Sequence, residues 1–313
     1  VIYKGVKSNK RKFAAKKFKR FIHQPWRIGS FSALTGSHDA EVPDYDSPAS
    51  NETVVTLEAN NAAARDRFTF PRGAHAGTCL HAIFEHWDFA SDDHDAMQVL
   101  VSRTLLQYGF DELWTKAVCG WVKEVIATSL NNTSGQSFFK LADLSQDKRL
   151  DELSFYFPVT GLTVDSLQKC LLPLLTAESP LAQVISQLKF SSLSGFMKGF
   201  IDLVYESQGR FYIVDYKSNW LGMSQGAYQQ DVLEQAMIAH DYPLQYLIYS
   251  LALHRYLRLR LSDYDPDVHL GGAYYLFIRG MKPNWDQSGI FFDKPKVEVL
   301  DALDHCLQGL TND

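Results

Sequence analysis

The segment 199–219, GFIDLVYESQGRFYIVDYKSN, constrains the fold of this chain more than any other stretch of its sequence. It contains two short apolar runs, 200–205 and 211–214, separated by the polar sequence ESQGR. Two β-rich runs joined by a short loop that contains glycine are typical of a β-hairpin. We therefore predict a pair of antiparallel strands at this position.

The predicted hairpin brings charged side chains together. Asp202 lies in the first strand, whereas Asp215 and Lys217 lie at the end of the second. Because side chains alternate along a strand, Asp215 and Lys217 should share a face, and the hairpin should place Asp202 near them. A structural Asp–Lys ion pair is one interpretation. The second carboxylate favours a divalent-metal site, which suits Mg²⁺ and an adjacent lysine that orients or deprotonates water.

The composition narrows the class of protein. Apolar residues make up 46% of the 313 residues, enough for one large domain or two smaller ones. The four cysteines form no CxxC pair, which argues against a zinc ribbon, an iron–sulfur cluster or a disulfide framework and favours a reducing cytoplasm. The sequence contains no signal peptide, no apolar run of membrane-spanning length and no P-loop motif for ATP hydrolysis.

Charge is unevenly distributed along the chain. The net charge is −5, yet residues 1–30 carry ten basic side chains and no acidic one, so the remainder has 21 basic against 36 acidic residues. The basic run 10–20 is either a phosphate-contacting arm or a solvated linker. Residues 36–66 are acidic and rich in Ser, Asn, Ala and Pro, which indicates a flexible linker. We therefore assign 1–66 to a basic segment and linker, and 67–313 to the folded domain.

Hydrophobic periodicity predicts the other elements. The predicted helices span 77–89, 97–108, 113–129, 167–175, 181–188, 244–261 and 297–310. Besides the hairpin, strands are predicted at 150–159, with Glu152 near the start, and at 272–278. This order predicts an α/β or α+β domain in which helices flank a small mixed sheet. On the first helix, His81 and Glu85 are one turn apart on the same face.

Four stretches of the chain are similar to one known family: GTCLHAIFE, GFMKGFIDLVY, YIVDYKSNWLG and YPLQYLIYSLALHRYLRLRLSDYD. They resemble the nuclease domain of bacterial helicase–nucleases of the exodeoxyribonuclease V type, within the PD-(D/E)xK nuclease superfamily. The resemblance runs from about Trp26 to near the C-terminus. It implies a restriction-endonuclease-like core and Mg²⁺-dependent cleavage of single-stranded DNA during double-strand break repair and recombination.

The resemblance also implies a molecular setting. An ATP-driven helicase region would precede the domain in the same chain, with 1–66 as the connection, which agrees with the initial Val and the missing P-loop. The alpha and gamma subunits of the helicase–nuclease complex would be protein partners. The expected location is the bacterial cytoplasm, without a membrane contact.

Individual residues receive roles from the resemblance. The implied metal ligands are His81, Asp202, Asp215 and the backbone carbonyl of Tyr216. The implied catalytic residues are Glu152, Asp202, Asp215 and Lys217. Gln245 and Tyr249, four residues apart on one helix, would support the site and touch DNA. A histidine ligand would tolerate Mn²⁺ besides Mg²⁺, with Ca²⁺ as an inert occupant. The chain departs from the family pattern at Ile201, where the motif has proline.

Other side chains are candidates for contacts with the DNA strand, through stacking on bases or through phosphates. The candidate stacking rings are Tyr216, Trp220, Tyr228 and Tyr242. The candidate phosphate contacts are Lys198, Lys217 and Arg279. Two other functions stay open: a non-catalytic DNA-binding module that keeps the nuclease fold, and a free-standing restriction or repair endonuclease. Cleavage of single strands by the domain would argue against the first, and sequence-specific cutting of duplexes would support the second.

Overall fold

The structure, a computed structural model, describes residues 26–35, 65–131 and 138–309 of the chain. The strands in these ranges are β1 (Arg27–Gly29), β2 (Ser129–Asn131), β3 (Phe138–Lys140), β4 (Arg149–Leu162), β5 (Leu193–Ser207), β6 (Arg210–Lys217), β7 (Leu270–Phe277) and β8 (Ile290–Asp293). The helices are α1 (Ser32–Thr35), α2 (Ala74–His86), α3 (His94–Gln107), α4 (Thr115–Ile126), α5 (Val164–Leu171), α6 (Pro180–Gln187), α7 (Gln230–Ala239), α8 (Tyr242–Arg260), α9 (Pro266–His269) and α10 (Val297–Leu307). None of these described helices is long and apolar enough to cross a membrane.

A six-stranded mixed sheet forms the centre of the fold. β4 pairs with the long strand β5 in antiparallel orientation along almost its whole length. The other edge of β5 is shared, because β1 pairs in parallel with residues 195–197 and β6 pairs antiparallel with residues 203–207. Beyond β6 the sheet continues with the parallel strand β7 and then the antiparallel strand β8.

The sheet forks where β5 and β6 separate. The last residues paired between them are Leu203 and Val214, so Asp202 and Asp215 come directly beyond the ladder. Between the β1 and β6 pairings, the described strands leave one edge of residues 198–202 without a ladder partner. Backbone groups at such an opening are available for other partners, so the fork is a natural position for a binding site.

Helices cover both faces of the sheet and create two hydrophobic cores. One face packs on α5–α8 and α10, with Ile213 and Leu247 among the buried residues. The other face packs on α2–α4, with Val214 and Ile83 among the buried residues. The neighbours Ile213 and Val214 belong to different cores because side chains alternate along β6.

The predicted fold class is confirmed, since helices flank a central mixed sheet. Every predicted helix and strand is present, with its ends shifted by a few residues; the helix predicted at 244–261, for example, spans Tyr242–Arg260. β1 and β8 escape prediction because strands of three and four residues offer too few positions for a period-2 pattern.

The segment assigned to 1–66 is described only at 26–35 and 65–66. There β1 extends the sheet, and Phe31 and Leu34 are buried in the core on the α5–α8 face. The basic run 10–20 and most of the acidic stretch lie outside the described residues. The division of the chain at residue 67 stays a prediction.

Candidate active site

Asp202 is fixed at the fork by contacts from two directions. Its Oδ2 accepts a hydrogen bond of 2.8 Å from the backbone amide of Tyr216 on β6. The same oxygen lies 3.2 Å from Nδ1 of His81 on α2. The apolar face of α2, which includes Leu80 and Phe84, packs on the sheet, and this packing brings His81 to the fork. Two of the predicted metal ligands are therefore in contact.

Asp215 and Lys217 lie on the same face of β6, as the alternation along a strand predicts. The distance from Oδ1 of Asp215 to Nζ of Lys217 is 2.8 Å, and the two residues are only 3% and 1% exposed. Burial raises the pKa of Asp215 above its ordinary value; the charge of Lys217 lowers this pKa, and the charge of Asp202 raises it further. The raised pKa of Asp215 reflects its burial and the nearby charge of Asp202. A bound cation would stabilise both carboxylates in their charged form.

Two elements besides β6, namely α8 and β7, contribute the groups that surround Lys217. Its Nζ donates a hydrogen bond of 3.2 Å to Oε1 of Gln245 on α8. The same Oε1 accepts a hydrogen bond of 2.9 Å from the hydroxyl of Tyr275 on β7, while Nε2 of Gln245 donates to the hydroxyl of Tyr249 at 3.2 Å. The ammonium also lies 4.0 Å from the ring centre of Tyr242, a cation–π distance. Together these contacts hold the ammonium in one position.

Gln245 and Tyr249 lie one turn apart on α8, and both are buried. Their burial fits the predicted supporting role and not the predicted contact with DNA. Tyr275 is a site residue that sequence reasoning misses. It pairs with Asp215 across the parallel strands β6 and β7, whose partnership is a tertiary feature. The only sequence signal for it is the pair of tyrosines in the apolar run GAYYLFI.

Tyr216 points to the opposite face of β6 from the Asp–Lys pair. Its ring stacks on Phe84 at 4.5 Å and meets His81 edge-on at 5.9 Å between ring centres. Burial raises the pKa of the Tyr216 hydroxyl well above its ordinary value. This tyrosine therefore aligns α2 with the fork. The carboxylate of Glu85, one turn after His81 on α2, lies 3.6 Å from Nδ1 of His86.

Glu152 lies opposite Asp202 on the neighbouring strand β4. It stands between Asp151 and Leu153, which pair with the residues that flank Asp202 on β5. The backbone of Glu152 has a φ of 49°, a left-handed conformation that is uncommon for a glutamate. This irregularity interrupts the pairing of β4 with β5 at the level of the fork and places the predicted catalytic acid beside Asp202.

Arg279 is not available to contact a phosphate, so that prediction is wrong. The residue is completely buried. Its guanidinium donates hydrogen bonds to the carbonyls of Ser218 at 2.7 Å, Phe70 at 3.2 Å and Pro71 at 2.7 Å, and also to that of Arg67. The sequence shows a basic residue at the end of a strand, but burial is decided by the packing around it.

The predicted stacking of bases on three tyrosines is also wrong. The rings of Tyr216, Tyr228 and Tyr242 are buried, so no base can reach them. The half-buried ring of Trp220 is covered by the guanidinium of Arg72, 3.5 Å from the ring centre. Lys198, in contrast, is exposed on β5, with its ammonium 5.1 Å from the ring centre of Phe200. Lys198 remains a candidate for a phosphate contact.

The donors at the fork fit a divalent cation, although they are not a ready-made metal centre. Among residues 26–35, 65–131 and 138–309, no three His, Cys, Asp or Glu side chains are already arranged to hold a metal ion. Asp215 is ion-paired with Lys217, and Asp202 is in contact with His81. Carboxylate oxygens and an imidazole nitrogen are nevertheless suitable ligands for Mg²⁺ or Mn²⁺. The raised pKa of Asp215 marks the unfavourable negative charge that such an ion would stabilise.

A family comparison identifies the class of this site. The model of the PD-(D/E)XK nuclease superfamily matches residues 58–310, a range that contains both strands of the fork and α8. The chain belongs to the PD-(D/E)XK nuclease superfamily. Asp202 and the sequence Asp215-Tyr216-Lys217 lie within this range, and their assignment to the Asp and Asp-x-Lys parts of the superfamily's motif stays a prediction.

Three curated relatives are similar to this PD-(D/E)XK chain over most of its length. The RecBCD enzyme subunit RecB of Escherichia coli (strain K12) is 36% identical over 301 residues, which cover 95% of this chain and 24% of that protein. The subunit RecB of Haemophilus influenzae is 35% identical over 309 residues, with 93% and 24% covered. That of Mycolicibacterium smegmatis is 31% identical over 327 residues, with 94% and 30% covered. The chain thus spans about a quarter to a third of the length of these relatives.

Proposed function

We propose that this chain is the nuclease domain of a RecB-type subunit and hydrolyses phosphodiester bonds of single-stranded DNA with Mg²⁺. Its task would be the degradation of DNA ends during double-strand break repair and recombination. The observation that carries the proposal is the buried group of Asp202, Asp215 and Lys217 at the sheet fork. Burying such charges costs stability, so their presence between two apolar cores favours a chemical role over a packing role.

The proposed metal ligands are the carboxylates of Asp202 and Asp215, the imidazole of His81 and the carbonyl of Tyr216. When bound, the ion supplies positive charge at the scissile phosphate and a water of lowered pKa. The carboxylate and carbonyl oxygens suit Mg²⁺, the imidazole extends the tolerance to Mn²⁺, and Ca²⁺ would occupy the site without supporting cleavage.

Lys217 would orient the attacking water and stabilise the charge that develops on the phosphate. Its ammonium already lies between Asp215, Gln245 and the ring of Tyr242, so little reorganisation is required during the reaction. Gln245 would act as a positioning residue, because it contacts the lysine and not the exterior. Glu152 would hold a water on the β4 side of the fork.

The proposed setting extends beyond the residues of this chain. The relatives that it matches are named as subunits of the RecBCD enzyme, and this chain covers a limited part of their length. We infer that an ATP-driven helicase region precedes the domain in the same polypeptide and delivers the strand. The alpha and gamma subunits of the complex would be its partners, and the bacterial cytoplasm its location.

The test is cleavage of a fluorescently labelled single strand by the wild-type chain and by Lys217→Met and Asp215→Asn. We expect Mg²⁺ to support cleavage, EDTA to abolish it, Mn²⁺ to restore it and Ca²⁺ to fail. Each substitution should lower kcat by roughly a hundredfold or more, because a preorganised charged group is removed from the reacting phosphate. The matched control is Lys169→Met, which removes an exposed lysine on α5 and should cleave like the wild type.

Three results would contradict the proposal in different ways. Full activity of Lys217→Met would mean that the lysine is structural only. Binding of strands without cleavage, in each of the active metals, would favour the non-catalytic module. Cutting of duplex DNA at one defined sequence would favour a restriction-type endonuclease.

A further inference from the structure

An exposed row of aromatic side chains lies on the strands that lead to the fork. We call it the β4–β5 strip and define it by Trp26, Tyr156, Phe196, Lys198 and Phe200. Trp26, Tyr156 and Phe200 are 63%, 53% and 36% exposed, which is unusual for large rings in a folded domain. A contiguous exposed apolar patch generally marks a surface that binds something.

Strand register places the members of the strip side by side. Tyr156 on β4 pairs with Lys198 on β5, and Phe196 and Phe200 are the residues two positions before and after this lysine. The rings of Tyr156 and Phe196 stack at 4.4 Å with an interplanar angle of 11°, and Trp26 lies 5.8 Å from Phe196. Side chains two residues apart share one face of a strand, so the strip is continuous.

The opposite face of the same two strands is core. Phe157 on β4 and Met197 and Ile201 on β5 alternate with the strip residues and are buried. The exposure of the strip therefore belongs to one defined face of a well-packed pair of strands. The pairing of Met197, Lys198 and Gly199 with consecutive residues of β4 keeps that face in place for a ligand.

The charge of the strip suits a polyanion. Residues 153–162 and 193–201 contain no acidic side chain, and Lys198 is the only charged residue among them. This is notable in a chain that carries more acidic than basic residues overall.

The strip is continuous with the proposed catalytic site. Phe200 lies two residues before Asp202, and the strip ends where Glu152 and Asp202 face each other across β4 and β5. From Phe196 to Asp202 the strand extends about 20 Å. The strip also flanks residues 198–202, whose edge is open between the β1 and β6 pairings within the described residues.

We propose that the β4–β5 strip is the track on which a single DNA strand approaches the site, with bases stacked on its rings and a phosphate held by Lys198. This inference rests on the proposed nuclease function, since it names the path of that substrate. The chemistry favours a single strand over a duplex because the rings can stack only on bases that are not already stacked and paired. Stacking on rings and a phosphate contact do not distinguish one base from another, so binding should be independent of sequence.

The test is the affinity for a fluorescently labelled oligothymidylate, measured by anisotropy in EDTA so that no cleavage takes place. Tyr156→Ala and Phe200→Ala should each weaken binding roughly tenfold, which is the usual effect of losing one stacking ring. Tyr156→Phe should bind like the wild type because it retains the ring. Lys198→Gln should weaken binding and make the affinity less sensitive to salt, because one phosphate contact is lost.

Matched controls separate the strip from the rest of the surface. Leu259→Ala removes an exposed apolar side chain on α8 and should leave binding unchanged, as should Lys169→Gln on α5. If Tyr156→Ala, Phe200→Ala and Lys198→Gln all bind the oligothymidylate with wild-type affinity, the inference is overturned. This holds even if the same variants lose binding to another protein, because the strip would then be a protein interface and not a DNA track. Because binding is measured without metal, failure of cleavage by the wild type would refute the proposed function and leave this test intact.

Discussion

Lys217 carries a charge that the proposed chemistry needs, and uncharged neighbours together with Asp215 determine where that charge lies. A lysine side chain is long and flexible, and in isolation it would occupy many positions. Gln245 limits these positions by accepting hydrogen bonds from Lys217 and Tyr275 with one oxygen, and by binding Tyr249 with its nitrogen. We therefore regard Gln245 as the residue that holds the ammonium of Lys217 in one position within the buried ion pair.

Substitution of Gln245 tests this idea directly. Gln245→Ala should lower kcat for strand cleavage on the order of tenfold. This is the lower end of the loss in activity that is typical when a residue that orients the ligands of a metal site is replaced. Tyr275→Phe should have a smaller effect, because it removes one hydrogen bond and retains the ring beside the lysine. Steady-state kinetics and thermal unfolding would be measured together, with Tyr256→Phe on the same helix as the control.

The outcome distinguishes positioning from contact with DNA. A change in kcat with little change in KM is expected if Gln245 acts through Lys217. A rise in KM alone would show that Gln245 contacts the strand, and the positioning role would have to be abandoned.

At the scale of elements, α8 is fixed at its far end by a polar cluster with α10. Asp304 accepts hydrogen bonds from Nε of Arg255 at 3.0 Å and from Nε2 of Gln308 at 2.9 Å, and Arg258 lies 3.7 Å away. Burial raises the pKa of Asp304, but the hydrogen bonds and the charge of Arg255 outweigh that effect and lower it below its ordinary value. Because α8 also carries Gln245, this cluster helps to fix the helix behind the site.

Asp304→Asn should therefore destabilise the fold in a pH-dependent way. At neutral pH we expect a loss of about 1–3 kcal/mol in the free energy of unfolding, the usual range for hydrogen bonds to a charged group. Since the pKa is lower in the folded state, the stabilisation is present above the unfolded value of about 3.9 and is lost as pH falls through the folded value. Urea unfolding at neutral and acidic pH would measure the difference between wild type and variant.

The control is Asp165→Asn, which breaks the exposed pair with Lys169 on α5 and should leave stability nearly unchanged at both pH values. A difference between Asp304→Asn and wild type that persisted unchanged at acidic pH would argue that packing, and not the charge of Asp304, stabilises the contact.

At the scale of the whole molecule, Arg279 connects parts of the fold that carry different site residues. It binds the carbonyl of Ser218, which directly follows β6, and those of Phe70 and Pro71, which precede α2. α2 carries His81, whereas β6 carries the Asp–Lys pair. The completely buried guanidinium thus helps to set the distance between the helix and the strand that meet at the fork.

Arg279→Lys should destabilise the protein although it keeps the charge. An ammonium cannot replace the planar fork of donors, so several buried carbonyls would lose their partner, and we expect a loss of at least about 3 kcal/mol in the free energy of unfolding. Affinity for Mn²⁺ should also fall, because His81 would no longer be held opposite the carboxylates. Denaturant unfolding and calorimetry would measure both effects.

The comparison is Arg260→Lys at the exposed end of α8, which should alter neither quantity. Wild-type stability and metal affinity in Arg279→Lys would mean that hydrophobic packing alone aligns α2 with the sheet.

The hairpin, the shared face of Asp215 and Lys217 and the spacing of Gln245 and Tyr249 could be predicted because they depend on short-range geometry. Strand alternation and helical periodicity act between residues that are close in sequence. The parallel pairing of β6 with β7 and the contact of His81 with Asp202 join segments that are far apart in the chain. Here the resemblance to a family pointed to His81, whereas the only local signal for Tyr275 was the pair of tyrosines in the apolar run GAYYLFI.

The sequence by itself determined the alternation of elements, the apolar faces that form the two cores and the carboxylates and lysine at the strand ends. Only the tertiary structure decided which charged and aromatic groups are buried. It enclosed Arg279 and Tyr216, predicted to meet DNA, and left Tyr156 and Phe200 exposed beside the fork. The physical reason is that burial depends on which distant element packs against a residue, and that choice minimises the free energy of the whole chain and not of any local segment.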